Sequence, residues 1–234
     1  MNTRSIQIIV VAIMPALIGP RPACAGQADS VSARDLYIEK AEPLMGLKCR
    51  LLLRNASGSF LPVKPDSIFH TNDHIRLELE SNAPGYLYVI QQGSDSTWQV
   101  LFPSVEIHDN NNRVVAMQPV EVPRSEDFFF DETPGKERLF IVLARDPEPG
   151  LERLLKLVRA QRSGTAAAQP DDAMPSLFKS ISTKMSGDLA SRNLRVSRID
   201  DQDPSPNARN ALYVVNAEKS EGRVIAEVVL IHER

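Results

Sequence analysis

Cysteine is nearly absent from this chain: there are two in 234 residues. Cys24 lies in an N-terminal stretch expected to be removed, which leaves Cys49. One thiol can form neither an internal disulfide nor a structural zinc site. Cys49 alternates with Leu47, Leu51 and Leu53, the pattern of one face of a strand. That is the setting of a buried core thiol, whereas a catalytic thiolate needs a basic, partly exposed one. Charge of one sign is also lacking. Lys and Arg number 27 against 30 Asp and Glu, a net charge of −3, and no basic stripe stands out. This argues against nucleic acid as a partner. No long apolar run follows the first twenty or so residues, so no membrane span is expected in the mature chain.

The N-terminus reads as a secretory signal peptide, residues 1–25. Arg4 and the amino terminus supply positive charge, and Ile6 to Ile18 is apolar apart from Gln7 and Pro15. Ala23-Cys24-Ala25 places small residues where a signal peptidase reads them, so cleavage is expected after Ala25. The apolar run falls short of the roughly 20 residues of a spanning helix, which disfavours an uncleaved anchor. Arg21 stands where a lipidation signal needs an apolar residue, which disfavours a lipid on Cys24. The expected localisation is periplasmic or secreted.

Catalytic signatures are missing too. There is no Gly-x-Ser-x-Gly, His-Glu-x-x-His, Cys-x-x-Cys or phosphate-binding glycine loop. His70 and His74 have helical spacing, but they flank a turn and a strand, where that spacing brings nothing together. His232, near the C-terminus, is expected to be solvated. His108-Asp109-Asn110-Asn111-Asn112 is oxygen-rich, but one carboxylate among amides is a thin calcium set, and an Asn-rich turn is the reading. Asp131 and Glu132 are adjacent on a chain expected to be extended there, so they point apart as solvated charges. No catalytic residue, metal site or cofactor is expected.

What the chain does have is many short strand signals punctuated by Gly, Pro and Asn. Leu47–Leu53, Phe60–Val63, Ile75–Leu79, Tyr86–Ile90, Trp98–Phe102, Val114–Met117, Val120–Val122, Phe128–Phe130 and Leu139–Leu143 follow one another. This predicts a mainly β fold, an antiparallel β-sandwich, with an immunoglobulin-like arrangement among the architectures it admits. The period then changes. Leu151, Leu154, Leu155 and Val158 mark one helix, with Asp146 as its expected cap and Pro147 in its first turn. Met174, Leu177, Phe178, Ile181 and Met185 mark a second, after a linker at 163–170. Ala211–Asn216 and Val224–Ile231 then read as a hairpin turning at Glu218–Gly222. The expected organisation is a mobile segment at 26–43 and a β domain at 44–234 carrying a helical insertion at about 146–190. The alternative is a β domain ending near 146, followed by a separate tail.

Three motifs carry a family resemblance: Gly85-Tyr86-Leu87-Tyr88, Leu101-Phe102-Pro103-Ser104 and Pro134-Gly135-Lys136-Glu137-Arg138-Leu139. Together they make Phe69 to Ala144 resemble the bacterial domain of unknown function 4384. The family's Phe-x-x-Gly-Asp appears here as Phe69-His70-Thr71-Asn72-Asp73. Asn72 stands in place of the Gly, and Asn tolerates the left-handed conformation better than most residues. The resemblance implies an extracytoplasmic accessory or recognition module. It carries over no catalytic residues.

The aromatic candidates for a ligand or partner surface are Tyr86, Tyr88, Trp98, Phe102 and Phe129. Alternation puts Tyr86 with Tyr88 on one face, and Trp98 with Phe102 on one face. Core packing competes for all of them. In Phe128-Phe129-Phe130, Phe128 and Phe130 are expected in the core. Phe129 is expected to meet either the helices or a partner, the helices being favoured. The functional expectation is a non-catalytic module that binds another envelope or secreted protein. Carbohydrate or small-ligand binding is the alternative, and a hydrolase a weaker one.

Overall fold

The computed structural model describes residues 44–104, 111–124, 126–162, 173–189, 194–199, 210–217 and 223–233. The expected signal peptide, the 26–43 segment, the 163–170 linker and the 218–222 turn lie outside the described residues.

The first sheet is built on β1 (Gly46–Arg54) and β4 (His74–Ser81), paired antiparallel from Leu47↔Ser81 to Leu53↔Ile75. β12 (Ala211–Asn216) and then β2 (Phe60–Val63) take successive halves of the other edge of β1. β8 (Val120–Val122) and β9 (Phe128–Phe129) do the same for β4, and β11 (Leu194–Ile199) lies outside β12. The second sheet runs β3 (Ile68–His70), β13 (Val224–Glu233), β10 (Gly135–Ala144), β5 (Gly85–Gln92), β6 (Trp98–Phe102), with β7 (Arg113–Val114) also on β5. Every described pairing is antiparallel except β3 with β13. The mainly β sandwich expected from the sequence is the fold observed.

The strand patterns explain the layers. β4 alternates strictly, with Ile75, Leu77 and Leu79 buried between the sheets and Arg76, Glu78 and Glu80 facing out. On that outer face Lys48 meets Glu80 at 3.5 Å and the Arg50 Nε donates to Glu78 at 2.8 Å. β5 and β10 instead read as continuous apolar runs, the mark of strands covered on both faces. Their inward residues, such as Leu87, Val89, Ile141 and Leu143, join the core between the sheets. Their outward residues Tyr88, Ile90, Phe140 and Val142 form a second core. Two helices cover it, α1 (Pro149–Arg162) and α2 (Ala173–Leu189), through Leu151, Leu154, Leu155, Phe178, Ile181 and Met185. The two helical stripes are thus spent on the outer face of the second sheet.

Two glycines of the family motifs have a packing reason. A Cβ on Gly85 would lie 2.5 Å from the Ala144 carbonyl oxygen, and one on Gly135 would lie 2.5 Å from the Ser94 Cβ. Both distances are closer than side chains pack.

Several local expectations need correction. The last two strands form no hairpin: β12 pairs with β1 in the first sheet and β13 with β10 in the second. All six residues of β12 are buried, which suits an interior strand rather than one arm of a terminal hairpin. β11 was not expected at all. The Val114–Met117 strand is only Arg113–Val114, because the chain turns at Met117, which takes φ 60°. α1 starts at Pro149 rather than after Asp146. The Glu148 carbonyl accepts the first helical bond, from the Glu152 N–H at 2.8 Å, so Pro149 fills the first position that needs no N–H. Trp98 and Phe102 do not share a face. The β5–β6 register shifts between Val89 and Ile90, so Leu101 and Phe102 both turn inward while Trp98 stays outside.

A candidate binding cleft

β9 is short, and its position is set by the turn that begins β4. Asn72 adopts φ 69°, the left-handed conformation that the motif's usual Gly would adopt. Its N–H donates to the Phe130 carbonyl at 2.8 Å, and the Phe130 N–H donates to the Asp73 carbonyl at 3.1 Å. Asp73 in turn accepts the His70 N–H at 2.8 Å through Oδ2. The sequence from Phe69 to Asp73 therefore clamps the Phe128–Phe130 stretch on the rim of the first sheet.

Alternation then assigns the three rings. Phe130 is buried and stacks on Phe69 with centroids 4.9 Å apart, while Phe128 is half-buried against the core. Phe129 is 64% exposed, its ring 6.1 Å from that of His74. The helices lie on the outer face of the second sheet and do not reach it, so the expected helical cover of Phe129 is overturned.

These rings border a cleft of about 650 Å³, counting its open mouth. Its floor is the end of the inter-sheet core, with Ile75, Leu101, Leu139 and Leu230. Gln91, Gln99 and Glu137 also line it, and they line a second hollow of about 630 Å³ that continues it. There Asp95, Thr97, Asp131 and Thr133 form the rim.

The cleft's electrostatics are one-sided. Burial is the largest effect on Glu137 and pushes its carboxyl above the usual range. A hydrogen bond from the Gln91 amide and the proximity of His232 oppose this, while the charges of Asp131 and Asp95 add to it. Asp95 is held low by the Thr97 hydroxyl and N–H, which donate to it at 2.6 and 2.9 Å. Asp131 accepts the Thr133 N–H at 2.7 Å. His232 is buried, not solvated as expected. β13 runs to Glu233 between β3 and β10, and the ring is held with Nδ1 3.0 Å from the Thr133 carbonyl and Nε2 3.3 Å from the Thr71 hydroxyl. Cys49 is also buried, and burial, with a contribution from Glu78, pushes its thiol up to about 12. Among the described residues, no group of three or more His, Cys, Asp or Glu is arranged to hold a metal.

The five aromatic candidates are not brought together. Tyr88 is buried under α1, and Trp98 stacks at 5.6 Å on both Phe140 and Phe178. Tyr86 packs on the same cluster, with the Arg113 guanidinium 5.9 Å from its ring. Phe102 is fully buried between the sheets. Of the five, Phe129 alone lines the cleft. Sequence reasoning missed Gln91, Asp95, Gln99 and Glu137. Glu137 left a signal, since it is in phase with the inward residues Leu139, Ile141 and Leu143. His108 to Asn110 lie outside the described residues. Asn112 is buried, and its amide donates to Glu152 at 2.9 Å.

Fold and cleft together define a β-sandwich module, helix-covered on one sheet and open along one flank. Residues 68–147, from β3 to just past β10, match the family model described as Domain of unknown function (DUF4384). The chain carries that domain over this stretch, as its motifs implied, and the stretch supplies every cleft residue named above except Leu230 and His232. No curated protein and no solved structure matches the chain. Among the described residues, no helix is long and apolar enough to cross a membrane.

Proposed function

We propose that this chain is an exported, non-catalytic accessory module of the bacterial envelope that binds another protein at the open flank of its sandwich. One observation carries the reading. Phe129 is 64% exposed beside a cleft with an apolar floor. An exposed aromatic anchor over a concave apolar surface is the usual form of a binding hot spot. No Cys, His or Lys is among the described residues that line it, which favours recognition over catalysis. Tyr86, Tyr88, Trp98 and Phe102 are spent on packing, so of the five aromatic candidates for a sugar platform Phe129 alone stands at the cleft. The N-terminal sequence supports export, with a mature chain beginning at Gly26.

The test is affinity capture of the tagged, exported protein from its native envelope, beside the Phe129→Ala variant. A partner retained by the parent and lost by the variant is the expected result. Equal retention by both would remove the cleft from binding. A mature protein still beginning at Met1 would overturn export.

A further inference from the structure

The cleft carries negative charge that no described Lys or Arg neutralises. On the outer face of the first sheet Glu78 meets Arg50 and Glu80 meets Lys48, and Asp127, which also lines the cleft, accepts from the Arg76 Nε at 2.7 Å; the carboxylates farther along the cleft have no such partner among the described residues. Asp95, Asp131 and Glu137 have only amide and hydroxyl donors. Lys136 and Arg138 flank Glu137 in sequence, but alternation turns them to the other face, where Arg138 meets Glu227 at 2.6 Å. His232 is the basic group that bears on the Glu137 carboxyl, and its ring is already held by Thr133 and Thr71. The charge therefore faces the cleft, beside an apolar floor. Glu137 lines both hollows, so floor and rim adjoin.

The cleft also opens between two sheet edges. β6 ends the second sheet on this side and β9 lies at the margin of the first, and neither pairs on its outer side with another described strand. An incoming extended chain would run along these two margins.

We propose that the occupant is an extended, basic segment of the partner protein, in which a Lys or Arg stands within two residues of an apolar side chain. This rests on the reading that a protein docks at this flank, and it adds the chemistry of the docked segment. On an extended chain, side chains two residues apart share a face and lie about 7 Å apart. One residue then settles on the floor beside Phe129 and Leu101, while the next on that face carries a cation to the carboxylates. A small organic cation would satisfy the rim and leave the floor open. An acidic segment would meet like charge.

The experiment is selection of displayed random peptides on the mature, folded chain, followed by binding measurements on the enriched peptides. Enrichment of Lys or Arg beside apolar residues is expected. Those peptides should bind about tenfold more weakly to the combined Asp95→Asn, Asp131→Asn, Glu137→Gln variant, and more weakly as salt is raised. Acidic or neutral enriched peptides, no enrichment, or equal binding to the neutralised variant would overturn the inference. Capture from the native envelope separates the two levels. A partner lost with Phe129→Ala but kept by the neutralised variant leaves docking standing and removes its basic character. A partner kept by both variants removes docking at this flank.

Discussion

The Tyr88 hydroxyl donates to the Glu152 carboxylate at 2.7 Å and accepts the Glu148 N–H at 3.1 Å. This one phenol ties the middle of β5 to the first turn of α1, across the second core. Burial raises its pKa, and the Glu152 bond raises it further, so the hydroxyl stays protonated and able to donate. Tyr88→Phe keeps the ring, strands the Glu148 N–H and leaves Glu152 only the Asn112 amide as a donor across this contact. It should cost about 1–3 kcal/mol in denaturant unfolding, the range for unsatisfied buried polar groups. A loss too small to measure would mean that water replaces the phenol and that apolar packing alone docks the helix.

Gly85 and Gly187 should respond oppositely to Ala. A Cβ at Gly85 meets the Ala144 carbonyl at 2.5 Å, where the start of β5 lies beside the end of β10. Overpacking of this kind costs about 1–3 kcal/mol. Gly187 lies in α2 with nothing within 4 Å of the new Cβ, so Gly187→Ala should gain up to about 1 kcal/mol from helix propensity. Thermal melts of the two variants give the comparison. Equal shifts would contradict the steric account.

The Cys49 thiol should be inert in the folded protein. Its pKa is raised from 9.0 to about 12, chiefly by burial, so little thiolate exists at pH 8 and none is accessible. A thiol reagent should label it only after unfolding. The linkage has a definite sign. Below pH 9 both states hold the proton and stability is unaffected. Between about 9 and 12 the unfolded chain releases it and the folded chain does not, so this group makes stability fall as pH rises. Fast labelling of native protein at pH 8 would place Cys49 outside the core.

How much of this was legible follows from which residues obey a local rule. The alternation of Ile75, Leu77 and Leu79 with three charges fixed β4 and its inward face. The left-handed turn at Asn72 could be read from the Gly it replaces. The shared face of Trp98 and Phe102 failed because a bulge inverts phase and leaves no mark on composition. The β12–β13 hairpin failed because two apolar runs joined by a turn look alike whether they pair with each other or bridge two sheets. The cleft was half-legible. Glu137 and His232 both sit in phase with core leucines, and only tertiary structure shows that the core opens beside one and closes over the other.

Glu137 should be a site where neutralisation helps the fold. Its carboxyl is raised mainly by burial, so ionising it opposes folding. Glu137→Gln keeps an acceptor for Gln91 and removes that charge. The variant should be more stable than the parent at pH 7. The difference should shrink as pH falls through the raised pKa, where the parent gains its proton in the folded state before it does in the unfolded one. A variant less stable than the parent at neutral pH would mean that the carboxylate is compensated in the free protein.

Phe129 and Phe130 are neighbours in sequence with opposite expected roles. Phe130 is 4% exposed, stacked on Phe69 and set against the His232 ring at 5.1 Å. Phe130→Ala should therefore cost about 3–5 kcal/mol, the range for a buried Phe. Phe129 is 64% exposed; its backbone pairs with His74 of β4 and its ring meets only the His74 ring among the described ring contacts, at 6.1 Å. Phe129→Ala leaves that backbone register in place and should change stability by no more than about 0.5 kcal/mol. The same substitution should abolish capture of the envelope partner. Separating the two effects is the point of the pair, because a ring that holds the fold and a ring that holds a partner both look conserved in function when only activity is measured. If Phe129→Ala costs as much stability as Phe130→Ala, the ring is covered in solution and the cleft loses its anchor. If stability and capture are both unchanged, the ring is a bystander and the binding surface lies elsewhere.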